Sequence, residues 1–283
     1  MTQTTVNLVG AGRVGQTLLG LLRVLPYYKI QDVVSARMVS AENAVLAVGA
    51  GRAVEYYSDM RAADLWIFAV PDTEIAGAAQ AMADMFAQQE AAEPAPVAFH
   101  CSGFFASEQL SPLRALGWRL ASAHPVLSFA DPKTAMESFK GVQCGVEGDA
   151  AALTVVREFF HRMGAQTFDI HPERKSLYHA AAVISNNFTV VLQAVAQEAW
   201  ASAGVPDDVA RHLNATLLNA TCKNVVARGP QDALTGPAAR GDDAVVTQQG
   251  RDVAQWHPSA GEVYDLLSMM AKELKQKGTT RGR

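Results

Sequence analysis

VNLVGAGRVG, residues Val6 to Gly15, decides how this chain is read. A short apolar run enters a turn with glycines at Gly10, Gly12 and Gly15, the G-x-G-x-x-G spacing. Gly10 permits the tight turn out of a strand, Gly12 lets backbone approach a diphosphate, and Gly15 lets the next helix sit close to the sheet. A helix is expected to start near Arg13. The unpaired N–H groups of its first turn, those of Arg13 and Val14 among them, and its positive dipole end then face the diphosphate of a dinucleotide. A strand in front and an apolar helical pattern behind distinguish this turn from glycine-rich turns that bind nothing.

Outward from the turn, Val14, Leu18, Leu21, Leu22 and Leu25 repeat at helical spacing and Pro26 stops the helix. The next strand is expected over Ile30 to Ser35, and the residues at its C-terminal end face the adenine ribose. Asp32 lies near the distance of a ribose-binding acid but inside the strand. Ser35 and Arg37 stand at the tip, where a hydroxyl and a planar fork of donors suit a 2′-phosphate, which favours NADP over NAD. A helix over Ala41 to Gly49, a short strand over Val54 to Tyr57 and a buried strand over Asp64 to Val70 continue the alternation. The last of these delivers Val70 and Pro71, in the AVPD turn, to the nicotinamide half of the site. A helix to about Gln88 and a surface linker from Glu90 to Pro96 lead to a strand over Val97 to Cys101. Ser102 and Gly103 then bring a hydroxyl and bare backbone to a strand end. A strand over Leu120 to Ala123 delivers His124, an imidazole that titrates near neutrality and can pass a proton. Strands over Val142 to Val146 and Ala165 to Asp169 flank a helix over Leu153 to Arg162. There the alternation ends.

With 283 residues, 49% of them apolar and 18% charged, the chain is long enough for two domains with real cores. A net charge of −4 gives no reason to expect nucleic acid or an anionic membrane surface as partner. Small molecules are the expected partners. Cys101, Cys144 and Cys222 lie far apart without a C-x-x-C pair, so no metal site is expected and a reducing, cytoplasmic setting fits. No basic and apolar leader precedes the first strand, so no secretion signal is expected. The apolar region Ala180 to Ala196 is interrupted by Ser185, Asn186, Asn187 and Gln193; we read it as a buried helix rather than a membrane span.

From Pro172 onward the pattern is helical: Glu173 to about Ala201, Pro206 to Arg228 with Gly229-Pro230 behind, Asp243 to Trp256 capped by Asp242, and a last helix from a Ser259/Glu262 capping box. The tail from Lys275 to Arg283 is basic. The fold class is therefore α/β, a doubly wound sheet over residues 1–171 followed by an all-helical domain over 172–283. Lys175, Tyr178, His179 and Asn186, at helical positions 0, 3, 4 and 11, share one otherwise alanine- and valine-rich face. Polar groups there are either satisfied core residues or the lining of a site.

Three further stretches, SAHPVLSF (Ser122 to Phe129), KSLYHAAAVISNN (Lys175 to Asn187) and LTGPAARGD (Leu234 to Asp242), carry a family resemblance. Over nearly its whole length the chain resembles Rossmann-like proteins with a DUF2520 C-terminal domain, relatives of the 6-phosphogluconate dehydrogenase superfamily. The resemblance implies an NADP-linked oxidoreductase whose helical domain closes over the nicotinamide and forms a homodimer. Some members are similar to ketopantoate reductases, which reduce a small branched 2-keto acid. On that reading Lys175 or His124 supplies the proton, Ser102 and His179 line the site, and Asn186 and Arg240 orient the substrate. Arg240 has a second reading, bracing its turn against an acidic neighbour. Two other functions stay open. Ser102 with His124 also resembles prephenate and arogenate dehydrogenases, although HPVLSF stands here in place of their HPMFG. A NADP-binding sensor without turnover is the third.

Overall fold

The computed structural model describes residues 3–88 and 93–281. Residues 90–92 of the expected linker and the last two of the tail lie outside them. The chain forms two compact units, Met1–Val183 and Ile184–Arg283.

The first unit alternates strand and helix: β1 (Thr4–Val9), α1 (Arg13–Arg23), β2 (Tyr28–Val34), α2 (Met38–Val48), β3 (Arg52–Val54), β4 (Leu65–Phe68), α3 (Ile75–Phe86), β5 (Val97–His100), β6 (Arg119–Pro125), α4 (Pro132–Glu137), β7 (Gln143–Gly148), α5 (Ala150–Arg162), β8 (Gln166–Asp169) and α6 (Lys175–Ser185). The sheet runs β3-β2-β1-β4-β5-β6-β7-β8. All pairs are parallel except β6 with β7. The order reverses beside β1, so the carboxyl ends of β1 and β4 diverge into a crevice. Side chains one apart along each strand face opposite layers. Val6, Leu8, Leu65 and Ile67 join Leu18 and Leu22 of α1 and Phe159 and Phe160 of α5 on one face. Val9, Trp66 and Phe68 join Ile75, Met82 and Phe86 of α3 on the other. The doubly wound α/β expectation is met. The expected strand at Val54 to Tyr57 is corrected to Arg52–Val54, a three-residue edge strand paired only with β2.

The second unit holds α7 (Asn187–Ser202), α8 (Asp207–Ala233), α9 (Pro237–Arg240), α10 (Asp243–Trp256) and α11 (Pro258–Lys277). Gly229, with φ +76°, breaks α8 where Gly229-Pro230 is expected to end it. Inside this unit Asn214 accepts from Trp200 Nε1 at 3.1 Å and donates to the Gln193 carbonyl at 2.9 Å, tying α7 to α8. Gly261 brings α11 against α10, since a Cβ there would lie 2.6 Å from Ala254 Cα. The cap of α11 is His257, whose Nδ1 accepts from the Ala260 N–H, and not Ser259. Asp242 stands at the N-cap of α10 without a capping hydrogen bond.

Two expectations about the connecting stretch are corrected. The units part inside α6, at 183/184 rather than 171/172, because Lys175 ties the first turn of that helix to the strand ends. Nor is the apolar stretch a buried helix: α7 has no buried residue, and Phe188, Val190 and Val191 are exposed. By length and composition alone the stretch 172–202, whose most apolar 18-residue window has a mean hydropathy of 1.2, is long and apolar enough to cross a membrane.

Candidate active site

The first part of the site is the crevice at the glycine turn. Gly10 takes φ +101°, and a Cβ on it would lie 2.6 Å from the Ala69 carbonyl, so only glycine lets β1 turn beside β4. At Gly15 a Cβ would meet the Gly10 carbonyl oxygen at 2.2 Å; glycine here lets α1 start close to the sheet. Around Gly12 a Cβ would meet nothing within 4 Å. The N–H groups of Gly12, Arg13 and Val14 have no acceptor among the described residues. Open space in front of orphan donors at a helix N-terminus is what a diphosphate requires.

The crevice has a volume of about 570 Å³ and runs from Gly10, Gly12 and Arg13 to Ser35, Arg37 and Ser40 on one side and Val70 and Pro71 on the other. Val14 and Gly15 are not in its lining: Val14 turns its side chain toward the core, leaving only its backbone to serve a ligand. Ser35 Oγ accepts from the Ala11 N–H at 3.4 Å, and Arg37 is exposed at the start of α2. Asp32 takes no part. Its carboxylate is buried and held by Arg52 at 2.9 Å and Arg61 at 2.7 Å. Burial pushes this carboxyl up, but hydrogen bonds from Arg61 and Arg52 outweigh it and leave it below its ordinary range. The tip of β2 is thus left to Ser35, Ala36 and Arg37, and the residues present fit a dinucleotide.

The second part lies at the carboxyl ends of β5 and β6. His100 fixes the loop that leaves β5, since its Nδ1 accepts from the Ser102 N–H at 3.2 Å and its Nε2 meets the Ala106 carbonyl at 2.9 Å. Burial pulls this imidazole down to about 4, so it is neutral. Ser102 Oγ accepts from the N–H groups of Phe104 and Phe105, at 3.1 and 2.9 Å, and the hydroxyl closes the loop rather than standing free.

Lys175, the first residue of α6, is only 1% exposed. Its Nζ donates to the Ser102 carbonyl at 3.1 Å and to Ser122 Oγ at 2.5 Å, and lies 3.7 Å from Glu147. Glu147 in turn accepts from the Ser107 N–H at 2.7 Å and from its hydroxyl at 2.8 Å. Burial lowers the Lys175 ammonium below its ordinary value, with Glu147 acting against it. The pair links β7, α6 and the β5 loop into one rigid set. Glu147 escaped the sequence reading, although a carboxylate inside an apolar strand signals a buried partner.

Above this floor His124 Nδ1 lies 2.9 Å from the Tyr178 hydroxyl, and the rings of His124 and His179 meet edge-to-face at 5.6 Å. His179 Nδ1 is buried without a hydrogen-bond partner among the described residues. Burial, assisted by His179 and Lys175, pulls His124 down to about 4. Ser102, His124, Lys175 and His179 are therefore brought together.

Asn186 and Arg240 belong to the second unit. Helix α6 stops at Ser185, so Asn186 does not continue its polar face; the residue begins α7 and donates to Asn187 Oδ1 at 3.3 Å. Arg240 is exposed and holds Asp242 at 2.8 Å, the bracing alternative.

A doubly wound sheet with an open glycine-turn crevice and a polar cluster at neighbouring strand ends defines a dinucleotide-binding α/β domain, here joined to a helical one. Residues 1–125 match the Rossmann-like domain and residues 142–271 match DUF2520, a domain of unknown function; the chain is a Rossmann-like protein with a DUF2520 domain. Among solved structures it is similar to a Thermotoga maritima protein, 26% identical with a TM-score of 0.74, covering 96% of this chain and 99% of that one. A Bacteroides fragilis protein, provisionally assigned as an NADP oxidoreductase, is 24% identical with a TM-score of 0.74 over 96% of this chain and 98% of that one. A pyrroline-5-carboxylate reductase from Coxiella burnetii shares the fold at 13% identity and a TM-score of 0.58, covering 98% of this chain and 100% of that one. No curated protein matches the chain significantly.

Proposed function

We propose that this protein is an NADP-dependent oxidoreductase that reduces a small 2-keto acid, of the ketopantoate kind, to its hydroxy acid. The observation that carries the reading is the convergence of Ser102, His124, Lys175 and His179 at the carboxyl ends of β5 and β6, on the same edge of the sheet as the glycine-turn crevice. The assignment of the Bacteroides relative and the reductase name of the Coxiella structure support the nicotinamide-dependent reductase class by analogy, and leave the 2-keto acid to the site residues.

Gly10, Gly12 and Arg13 would hold the diphosphate, Ser35 and Arg37 the 2′-phosphate, and Val70 and Pro71 would border the nicotinamide. When bound, the nicotinamide supplies a hydride to the carbonyl carbon. The chain's own share is to hold the substrate and deliver a proton to the oxygen, and His124 and Lys175 are the groups at hand. We further propose that a second copy of the chain covers the exposed apolar residues of α7, since soluble chains seldom leave such a surface bare, and that the enzyme works in the cytoplasm. Light scattering on the purified protein tests the dimer; a monomer at micromolar concentration removes it.

The function is tested by following NADPH and NADH consumption with a panel of 2-keto acids, ketopantoate first, and with a cyclic imine and prephenate as controls. Turnover with a 2-keto acid and NADPH is expected. Cofactor binding without turnover on any member would leave a sensor, and turnover of the imine alone would replace the substrate class.

A further inference from the structure

We propose that Tyr178 is a positioning and proton-relay residue: its hydroxyl donates to Nδ1 of His124 and so holds the imidazole in the tautomer whose Nε2 carries the proton given to the substrate oxygen. The assignment rests on the reduction proposed above. It also chooses between the two proton donors, against Lys175.

The site is hollowed for this pair. His124 on β6 lies directly opposite Gly145 on β7, and a Cβ at Gly145 would stand 2.9 Å from the Tyr178 hydroxyl and 2.1 Å from Ile170 Cδ1. On the other side of the imidazole, a Cβ at Gly103 would stand 2.9 Å from His124 Nε2 and 2.5 Å from His179 Nδ1. Neither glycine has a positive φ, so the backbone does not demand glycine at these places. The space does. The two missing side chains let a phenol reach one nitrogen of His124 at 2.9 Å while the other nitrogen has no protein partner among the described residues.

Lys175 has no such freedom. An ammonium carries three N–H bonds, and those of Lys175 face Ser102, Ser122 and Glu147 in a fully buried position. His124, by contrast, is only partly buried. Its lowered value of about 4 makes it neutral at working pH, so it gives up a proton readily only if one arrives at the other nitrogen. Burial pushes Tyr178 up to about 12, so the phenol keeps its proton and stands as donor until the transfer.

The bookkeeping of protons closes. As the substrate oxygen gains charge, the Nε2–H bond of His124 breaks and an O–H bond forms on substrate; the Tyr178 O–H bond breaks and an Nδ1–H bond forms. The phenolate then recovers its proton from Nδ1 while a water at the partly exposed site returns one to Nε2. One proton of the medium is consumed.

Histidine ¹⁵N spectra of the full chain without substrate test the hydrogen bond itself. His124 is expected as the Nε2–H tautomer, and Tyr178→Phe is expected to turn it into a mixture. An Nδ1–H tautomer in the parent protein, which needs no variant to observe, or an unchanged spectrum in Tyr178→Phe overturns the proposal. In turnover, Tyr178→Phe is expected to lower kcat at least about ten-fold with KM unchanged, and His124→Gln at least about a hundred-fold, the range for general acids. Parent-like turnover in Tyr178→Phe overturns the relay but leaves the reductase reading standing. The expected spectra in a protein that reduces no 2-keto acid support the Tyr178–His124 pairing and remove the substrate.

Discussion

Gly12 and Gly103 follow strands of one sheet and carry the same absence of a side chain, yet their surroundings are opposite. A Cβ at Gly12 would meet open space, whereas at Gly103 it would strike two imidazoles. The first absence leaves room for something the chain does not contain, and the second is already filled by the chain's own side chains. A ligand site built on a doubly wound sheet thus has an open end, shaped to receive, and a packed end, shaped to act. Substitutions at the two ends are expected to fail in different measurements.

The largest effect is expected at the open end. Gly12→Val places a branched side chain in front of orphan N–H groups at a point where a Cβ meets nothing within 4 Å. The fold should survive, with the loss of melting temperature limited to that of a poorer N-cap residue, while cofactor affinity falls at least about a hundred-fold. Calorimetric titration with NADPH checks it. Affinity within a few-fold of the parent would show that the open space at Gly12 is no binding surface.

At the packed end the same severity should appear in stability. Lys175→Met removes the cation beside Glu147 and leaves a carboxylate that is 4% exposed facing only Ser107, which costs about 3–5 kcal/mol for a broken buried pair. Urea denaturation reads this directly. A variant as stable as the parent would mean that Lys175 is not part of the frame, and would return it to candidacy as proton donor.

What the sequence made legible follows the same division. The open end is local: Gly10, Gly12, Gly15 and the residues after the second strand stand in short stretches whose spacing carries the geometry. The packed end is assembled across the chain. Tyr178 reaches His124 only because Gly145 is bare, and no spacing relates residues 124, 145 and 178; the β6–β7 register does. Glu147 meets Lys175 in the same way. Ser185-Asn186-Asn187 fits the pattern of polar residues on one long helix, yet Asn186 stands at the N-cap position of α7, without a capping hydrogen bond from its side chain, so the helical pattern alone does not reveal the break. The apolar residues of α7 follow a helical pattern, but a pattern states that a face will be covered without stating that the cover lies in the same chain.

A smaller effect separates the cofactors. Arg37 stands exposed at the rim of the crevice, so the proposed pairing with a 2′-phosphate would keep part of its hydration, and Arg37→Ala should weaken NADPH about ten-fold while leaving NADH nearly unchanged. The difference should shrink as salt is raised. Equal affinity of the parent protein for NADPH and NADH would remove the phosphate assignment, though not the crevice.

The smallest effect concerns Asp32, which decides whether the tip of β2 alone reads the ribose. Its carboxylate is buried between Arg52 and Arg61, two side chains that are themselves half exposed, so Asp32→Asn should cost only about 1 kcal/mol at neutral pH. Because the folded state holds this carboxyl below its ordinary value, its stabilisation is fully present above the unfolded carboxylate range and is lost as pH falls through the folded value. The parent should therefore lose stability on acidification more steeply than Asp32→Asn, and the two should converge at the acid end. Their ratio of NADPH to NADH affinity should be the same, since a carboxylate already satisfied by two guanidinium groups has nothing left to offer a ribose hydroxyl. A changed ratio in a protein that keeps its stability would place Asp32 in the crevice after all, and the open end would then extend one turn of strand deeper than Ser35.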